Sequence, residues 1–188
     1  DVYKRQLLSN WVDLRQTYDQ VEALELLTRR YFSSHGPATH KDFAWWAGLS
    51  AKDVRLALES ASGVEQIDVD GVQYWFGGDP PSANESDSGF LLPPFDNFLL
   101  GYKERSLMLD PSDGKKVNPG GGIPKPTVMV NGDIVGVWKY KMKKGVMLSS
   151  IELFRDLESH DRDLIDQAID QFSKFKSSPV EVNYNRSV

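Results

Sequence analysis

Residues 77–88 (GGDPPSANESDS) divide this chain, because a stretch of Gly, Pro, Ser and acidic residues without apolar periodicity has no face to bury. It reads as a linker over 78–89, so the 188 residues are expected to fold as two bodies, each with its own core. With 40% hydrophobic and 11% aromatic residues, the chain has apolar material enough for both. Apolar runs such as 135–138 are a few residues long, far below the roughly 20 needed to cross a bilayer. No membrane partner is expected, and a cytoplasmic location fits. There is no Cys, which excludes disulfides and thiolate metal sites. His35, His40 and His160 are scattered without metal-ligand spacing, and no cofactor is expected.

Before the linker, Val21, Leu24, Leu27 and Tyr31 recur at helical spacing and predict a helix over 21–32. Gly36 and Pro37 end it, Gly36 being expected as a left-handed cap. Thr39 with Asp42, and Ser50 with Asp53, have the spacing of helix N-caps. They predict two more helices, the first stopped by Gly48 and the second burying Val54, Ala57, Leu58 and Ala61. Alternation through Ile67 and Val69, an Asp70-Gly71 pair, and alternation through Val72, Tyr74 and Phe76 predict a hairpin with a two-residue turn. Three helices plus a hairpin over 21–77 are the pattern of a winged helix. In such a unit the side of the third helix that carries Lys52 and Arg55 would face a major groove, although Glu59 shares it and Asp70 sits at the wing tip. Trp45 and Trp46 point about 100° apart on a helix, so one is expected as core and the other as partly exposed, with stacking on bases as the competing role.

After the linker, residues 90–93 read as a buried strand and 96–102 as one or two helical turns, followed by a Gly/Pro-rich loop over 110–126. Residues 127–130, 134–142 and 146–154 read as an antiparallel meander with Asn131-Gly132 and Lys143-Lys144-Gly145 turns. A helix over 159–175, with Phe172 and Phe175 on its apolar face, and a last strand near 180–184 complete the pattern. The expected fold is α+β: a winged helix, then a mainly antiparallel β domain over 90–188 with a C-terminal helix. Residues 1–6 read as a translated sequencing-adaptor scar and 7–20 as the remnant of an upstream domain.

Charge is unevenly spread along the chain. Residues 21–100 hold five basic and twelve acidic groups, whereas 101–144 hold nine basic against four acidic, so the net −5 conceals one positive block. Its members, Lys103, Arg105, Lys115, Lys116, Lys125, Lys139, Lys141, Lys143 and Lys144, are candidates for phosphate contact, with Lys52 and Arg55 as lesser ones. Between 138 and 143 apolar and Lys residues alternate, so a strand there has one apolar and one positive face. The competing explanation is an edge strand protected by Lys. Asp96, set between Phe95 and Phe98, is a candidate catalytic carboxylate or a helix N-cap tied to Arg105. The glycines of 118–126 lack the Gly-Lys-Ser/Thr of a nucleotide loop.

Four ordered motifs carry a family resemblance: RYFSSHGPAT over 30–39 with DFAWWAGL over 42–49, LLPPFD over 91–96 with Gly101, Tyr102 and Arg105, NPGGG over 118–122, and PTV over 126–128 with Gly132 and GVW over 136–138. Together they resemble the AlkZ-like winged-helix family across about 22–176. The resemblance implies tandem winged helices joined to a β-rich part around a channel for duplex DNA, and hydrolysis of the N-glycosidic bond of alkylated bases; the chain is separately expected to be a monomer. The resemblance further implies a catalytic Gln-x-Gln or related pair. The chain has no Gln-x-Gln, so the pair is expected upstream and the chain by itself is expected to be inactive. The alternative is a DNA-binding or regulatory module without chemistry.

Overall fold

Three caps start the three helices of the first unit, residues 1–80, one of two compact units into which the chain divides. The computed structural model describes residues 17–78 and 87–186, with Leu7 and Asn10. The expected scar over 1–6, most of the expected remnant over 7–20 and residues 79–86 of the expected linker lie outside the described residues.

Helix α1 (Gln20–His35) opens on a capping box in which the Asp19 carboxylate accepts from the Glu22 amide at 2.9 Å and the Glu22 carboxylate accepts from the Asp19 amide at 3.0 Å. Helix α2 (His40–Ala47) repeats the device in a buried form. There the Asp42 carboxylate takes both the Thr39 amide at 2.9 Å and the Thr39 hydroxyl at 2.6 Å. Helix α3 (Ala51–Ser60) starts at Ser50, whose hydroxyl accepts from the Asp53 amide at 3.2 Å. The three helices therefore begin at or within a residue of where the caps place them.

The face that α1 buries differs from expectation. Leu24, Thr28, Tyr31 and Phe32 are buried, whereas Val21 is 44% exposed because it lies in the first turn, short of the aromatic cluster. Thr28 can be buried because its hydroxyl donates to the Leu24 carbonyl at 2.7 Å. Tyr31, Phe32 and Phe43 form that cluster, with ring centroids 5.0 to 5.4 Å apart. Gly36 is not a left-handed cap: its φ is −71° and its ψ 151°. Glycine is needed there for space, since a Cβ would lie 2.4 Å from the Phe32 carbonyl oxygen and 2.7 Å from the Phe76 Cα. The close approach lets the Ala38 backbone pair with Trp75 of a hairpin, β1 (Val64–Val69) and β2 (Val72–Gly77).

The second unit, residues 81–188, is built on a five-stranded sheet in the order β3 (Gly89–Leu92), β4 (Thr127–Val130), β5 (Asp133–Lys143), β6 (Val146–Leu153) and β7 (Val180–Arg186). Strand β3 starts one residue inside the expected linker. Its Gly89 passes so near the last helix, α6 (Ser159–Lys176), that a Cβ would meet the Leu164 carbonyl oxygen at 2.5 Å. The first four strands pair antiparallel, but β7 pairs parallel with β6, so the sheet is mixed. The reason is the connection: a strand that returns through a helix crosses over and enters in the same direction, which a tight turn cannot do.

Both faces of the sheet carry a core. On one, Val128, Val130, Val135, Trp138, Ile151 and Leu153 pack against Leu164, Ile165 and Ile169 of α6. Phe175 of α6 lies beyond this contact and is 79% exposed, contrary to the expected apolar stripe. On the other face, Met129, Ile134 and Val137 are covered by Leu99, Met108, Leu109 and Val117. These belong to the segment between β3 and β4, which holds α4 (Asn97–Leu100), a 3-10 turn (Pro111–Asp113) and α5 (Gly114–Val117). The expected loop over 110–126 is thus partly helical, with Val117 as its anchor. No helix among the described residues is long and apolar enough to cross a membrane.

Candidate nucleic-acid interface

Strand β5 runs past the cover of the sheet. From Val137 onward side chains alternate, so Lys139 and Lys141 share the face of Val137, while Trp138, Tyr140 and Met142 take the other. Lys139 sits in one row with Ser150 and Asn183, and Lys141 in the next with Leu148 and Glu181. These two rows line a concavity of about 550 Å³ that crosses β5, β6 and β7. Lys143 ends the strand and Lys144 occupies the turn, where Lys144 (φ 50°) and Gly145 (φ 79°) both take the positive φ of a twist-matched two-residue turn. All four lysines are exposed. Among the described residues none forms an ion pair with them. Two acidic residues among those described share this face: Glu152, opposite Val137 in the row next to Lys139, and Glu181, on the β7 side of the concavity.

The opposite face of the same hairpin is apolar and only partly covered. Trp138 is buried and its indole N–H donates to the Leu92 carbonyl at 2.9 Å, but Tyr140 and Met142 are exposed. The Tyr140 ring stands edge-on to Phe172 of α6 at 5.2 Å, with the Lys176 ammonium 5.5 Å from its centroid. Strand β7 is held to α6 by the Tyr184 hydroxyl, which donates to the Asp166 carboxylate. Burial, reinforced by that neighbouring carboxylate, pushes the Tyr184 hydroxyl above its ordinary range.

The other basic candidates of this unit lie in the segment that covers Val137, and Arg105 and Lys116 are among those already engaged. The Arg105 Nε–H donates to the Leu99 carbonyl at 2.8 Å and to the Tyr102 carbonyl at 3.1 Å, which satisfies groups at the end of α4. It is therefore a structural clamp. Asp96 is the N-cap of α4, its carboxylate accepting from the Phe98 amide at 2.8 Å, in place of the expected tie to Arg105. The Lys116 ammonium is 3.4 Å from the Asp113 carboxylate and lies over the Phe154 ring at 5.5 Å. Lys103 and Lys115 are exposed and Lys125 is half-buried. The structure thus brings Lys139 and Lys141 together on one face of the sheet, with Lys143 and Lys144 at the end of the same hairpin.

In the first unit, Lys52, Arg55 and Glu59 are all exposed on α3, so the outer side of that helix is mixed in sign. The nearby Asp53 carboxylate is occupied by the Ser50 hydroxyl at 2.7 Å and the Gln20 amide at 3.3 Å. Trp45 and Trp46 are not core: they are 54% and 39% exposed. An eight-residue helix has one buried side, and Asp42 and Phe43 take it. Trp46 leans on Tyr31 at 5.1 Å and on His35 at 5.5 Å. His35 stacks on Tyr31 at 4.7 Å, and partial burial lowers its pKa. The hairpin exposes Ile67, Val69 and Val72 beside Asp68 and Asp70. Among the described residues no three His, Asp or Glu side chains converge as a metal site would require.

One residue that the sequence does not single out is Phe95, which combines a positive φ of 62° with 54% exposure. The preceding Pro93-Pro94 is the available signal, since two prolines before a helix cap force a sharp reorientation of the chain.

Comparison with known proteins adds a family and a fold. The family described as DNA glycosylase AlkZ-like matches residues 3–175. Among solved structures, the Streptomyces sahachiroi DNA glycosylase AlkZ superposes with a TM-score of 0.71 at 21% identity, covering 92% of this chain. This chain spans 48% of the length of that protein. Comparison with curated protein sequences gives no match.

Proposed function

Because the chain belongs to the AlkZ-like DNA glycosylase family, we propose that it is the DNA-binding part of a repair glycosylase that acts on alkylated DNA. In this reading residues 21–77 are a winged helix and 90–188 a β-rich domain, and the partner is duplex DNA. The observation that carries the reading is the set of four exposed lysines, Lys139, Lys141, Lys143 and Lys144, which follow one another along β5 and its turn without acidic partners among the described residues.

Such a row suits a phosphate backbone. Each lysine that neutralises a phosphate releases condensed counterions, so affinity comes mostly from charge and falls with salt. It carries little sequence information, because phosphates are the same at every base pair. A glycosylase needs this kind of grip, since the damaged base must leave the stack before its N-glycosidic bond can be reached. Hydrolysis of that bond further requires a polar group to steady an oxocarbenium-like centre and place a water. The family resemblance assigns that work to a glutamine pair, and residues 1–188 contain no Gln-x-Gln. Asp96 is occupied as a helix cap. In this reading the part played by residues 1–188 is to bind and position the DNA.

The test has two arms. Titration of a labelled duplex should give binding that weakens steadily as salt rises; binding indifferent to salt, or none at low salt, refutes the reading. Incubation with alkylated duplex should release no more base than a heat-treated control, and clear release would show that the chemistry has been misplaced.

A further inference from the structure

Phe95 breaks two local rules at once. Its φ of 62° lies in the left-handed region, which costs any side chain with a Cβ and which bulky aromatics rarely occupy. Its ring is 54% exposed, so burial does little to offset the cost. The turn is nonetheless held firmly from both ends. Before it, Pro93 and Pro94 restrict the backbone, and the Leu92 carbonyl is fixed by the Trp138 indole N–H at 2.9 Å. After it, the Asp96 carbonyl accepts from Leu99 and Leu100 amides at 3.2 and 3.0 Å, Leu99 is buried, and Arg105 clamps the Leu99 carbonyl. A glycine would take the same φ without strain. The unit instead keeps a large apolar ring there and points it outward on a rigid mount.

Resting on the reading that this chain grips DNA, we infer that Phe95 is an aromatic wedge that stacks on, and partly unstacks, a base of the bound duplex. The mount is tied through the Trp138 indole to β5, and Trp138 is followed directly by Lys139, although the lysine side chains leave the strand on its other face. Lysines hold phosphates but cannot enter a base stack, whereas a preset apolar ring can insert between base steps at little entropic cost. A strained backbone serves this purpose because it fixes the direction of the ring before binding. The ring is a positioning element and takes no part in bond breaking.

The experiment uses the full chain and a duplex carrying 2-aminopurine, whose fluorescence rises when it is unstacked. Binding of the unmodified chain should raise that fluorescence. Phe95→Ala and Phe95→Gly should bind roughly tenfold more weakly and lose the rise, with the salt slope unchanged because the lysine contacts remain. Phe95→Trp should keep both. Since Phe95→Gly removes the backbone strain, its thermal midpoint should not fall, so a loss of binding cannot come from misfolding. If the unmodified chain binds duplex but Phe95→Gly matches it in affinity and fluorescence, the wedge is wrong and the ring is left to a protein partner. If the unmodified chain binds no duplex, the DNA reading itself fails and takes the wedge with it.

Discussion

The two units close their hairpins with the same turn and put opposite chemistry on it. Asp70-Gly71 in the first has φ values of 53° and 78°, and Lys144-Gly145 in the second has 50° and 79°. The backbone requirement of a twist-matched turn is two positive φ angles, met by Gly at the second position, and it leaves the charge at the first position free. The first hairpin accordingly shows Asp68, Asp70 and exposed Val69 and Val72, and the second shows Lys143 and Lys144. Aromatic residues are both buried and exposed in each unit. The first buries Tyr31, Phe32 and Phe43 and exposes Trp45 and Trp46 on a short helix, while the second buries Trp138 and exposes Tyr140, Phe175 and Phe95. The clear difference between the units is the sign of the charge at their hairpins, and its consequence can be tested.

The largest effect should come from Gly36→Ala, which places a methyl group against the Phe32 carbonyl and the Phe76 backbone. It should destabilise the first unit by about 3 kcal/mol, seen as an earlier thermal transition with the second unit's transition in place. A variant that melts like the parent would show that the close approach is not needed. Next, replacing Lys139, Lys141, Lys143 and Lys144 with Gln should weaken duplex binding by roughly ten- to a hundredfold and flatten the salt slope by up to about 0.9 for each phosphate left unneutralised. Lys52 and Arg55 replaced in the same way should change it far less. If the second pair matters more, the first unit is the DNA-binding surface and the division between the units is inverted.

Thr39→Ala should cost the first unit about 1 kcal/mol, because it removes a buried cap that holds both α2 and the Asp42 carboxylate; chemical denaturation would measure it. The smallest effect is a pH dependence of the same unit. His35 has a folded pKa below its ordinary value of 6.5 because burial disfavours the charged ring. The folded state therefore binds fewer protons, so this contribution is present above pH 6.5 and is lost as pH falls toward the folded pKa. His35→Gln should remove that slope. A slope that persists in the variant would locate the titrating group elsewhere.

Much of the fold is legible along the chain. Thr39 with Asp42 and Ser50 with Asp53 announce helix starts, and the X-Gly pairs at 70–71, 131–132 and 144–145 announce turns, because each depends on contacts within a few residues. The positive block is equally visible, since charge is a property of composition. Gly36 misleads because a left-handed cap and a close approach both call for glycine, and only the position of Phe76, 40 residues on, tells them apart. Trp45 and Trp46 mislead for a related reason, as periodicity says which residues share a side but not which side finds a partner.

The sequence by itself determined most of the elements, their turns and the sign of the charge each carries, since these follow from local sterics and residue type; the helical turns within 110–126 are the exception. Only the tertiary structure decided which of those charges are free to meet a ligand. The Arg105 Nε–H is taken by the Leu99 and Tyr102 carbonyls, Lys116 by Asp113, and Asp96 by an amide, while Lys139 and Lys141 stay open because β5 and β6 outrun the segment that covers Val137. The parallel entry of β7, which adds Asn183 and Glu181 to that face, likewise depends on where α6 sets the chain down. A charge is fixed by its residue, but whether it stays open to a ligand depends on neighbours that lie far away along the chain.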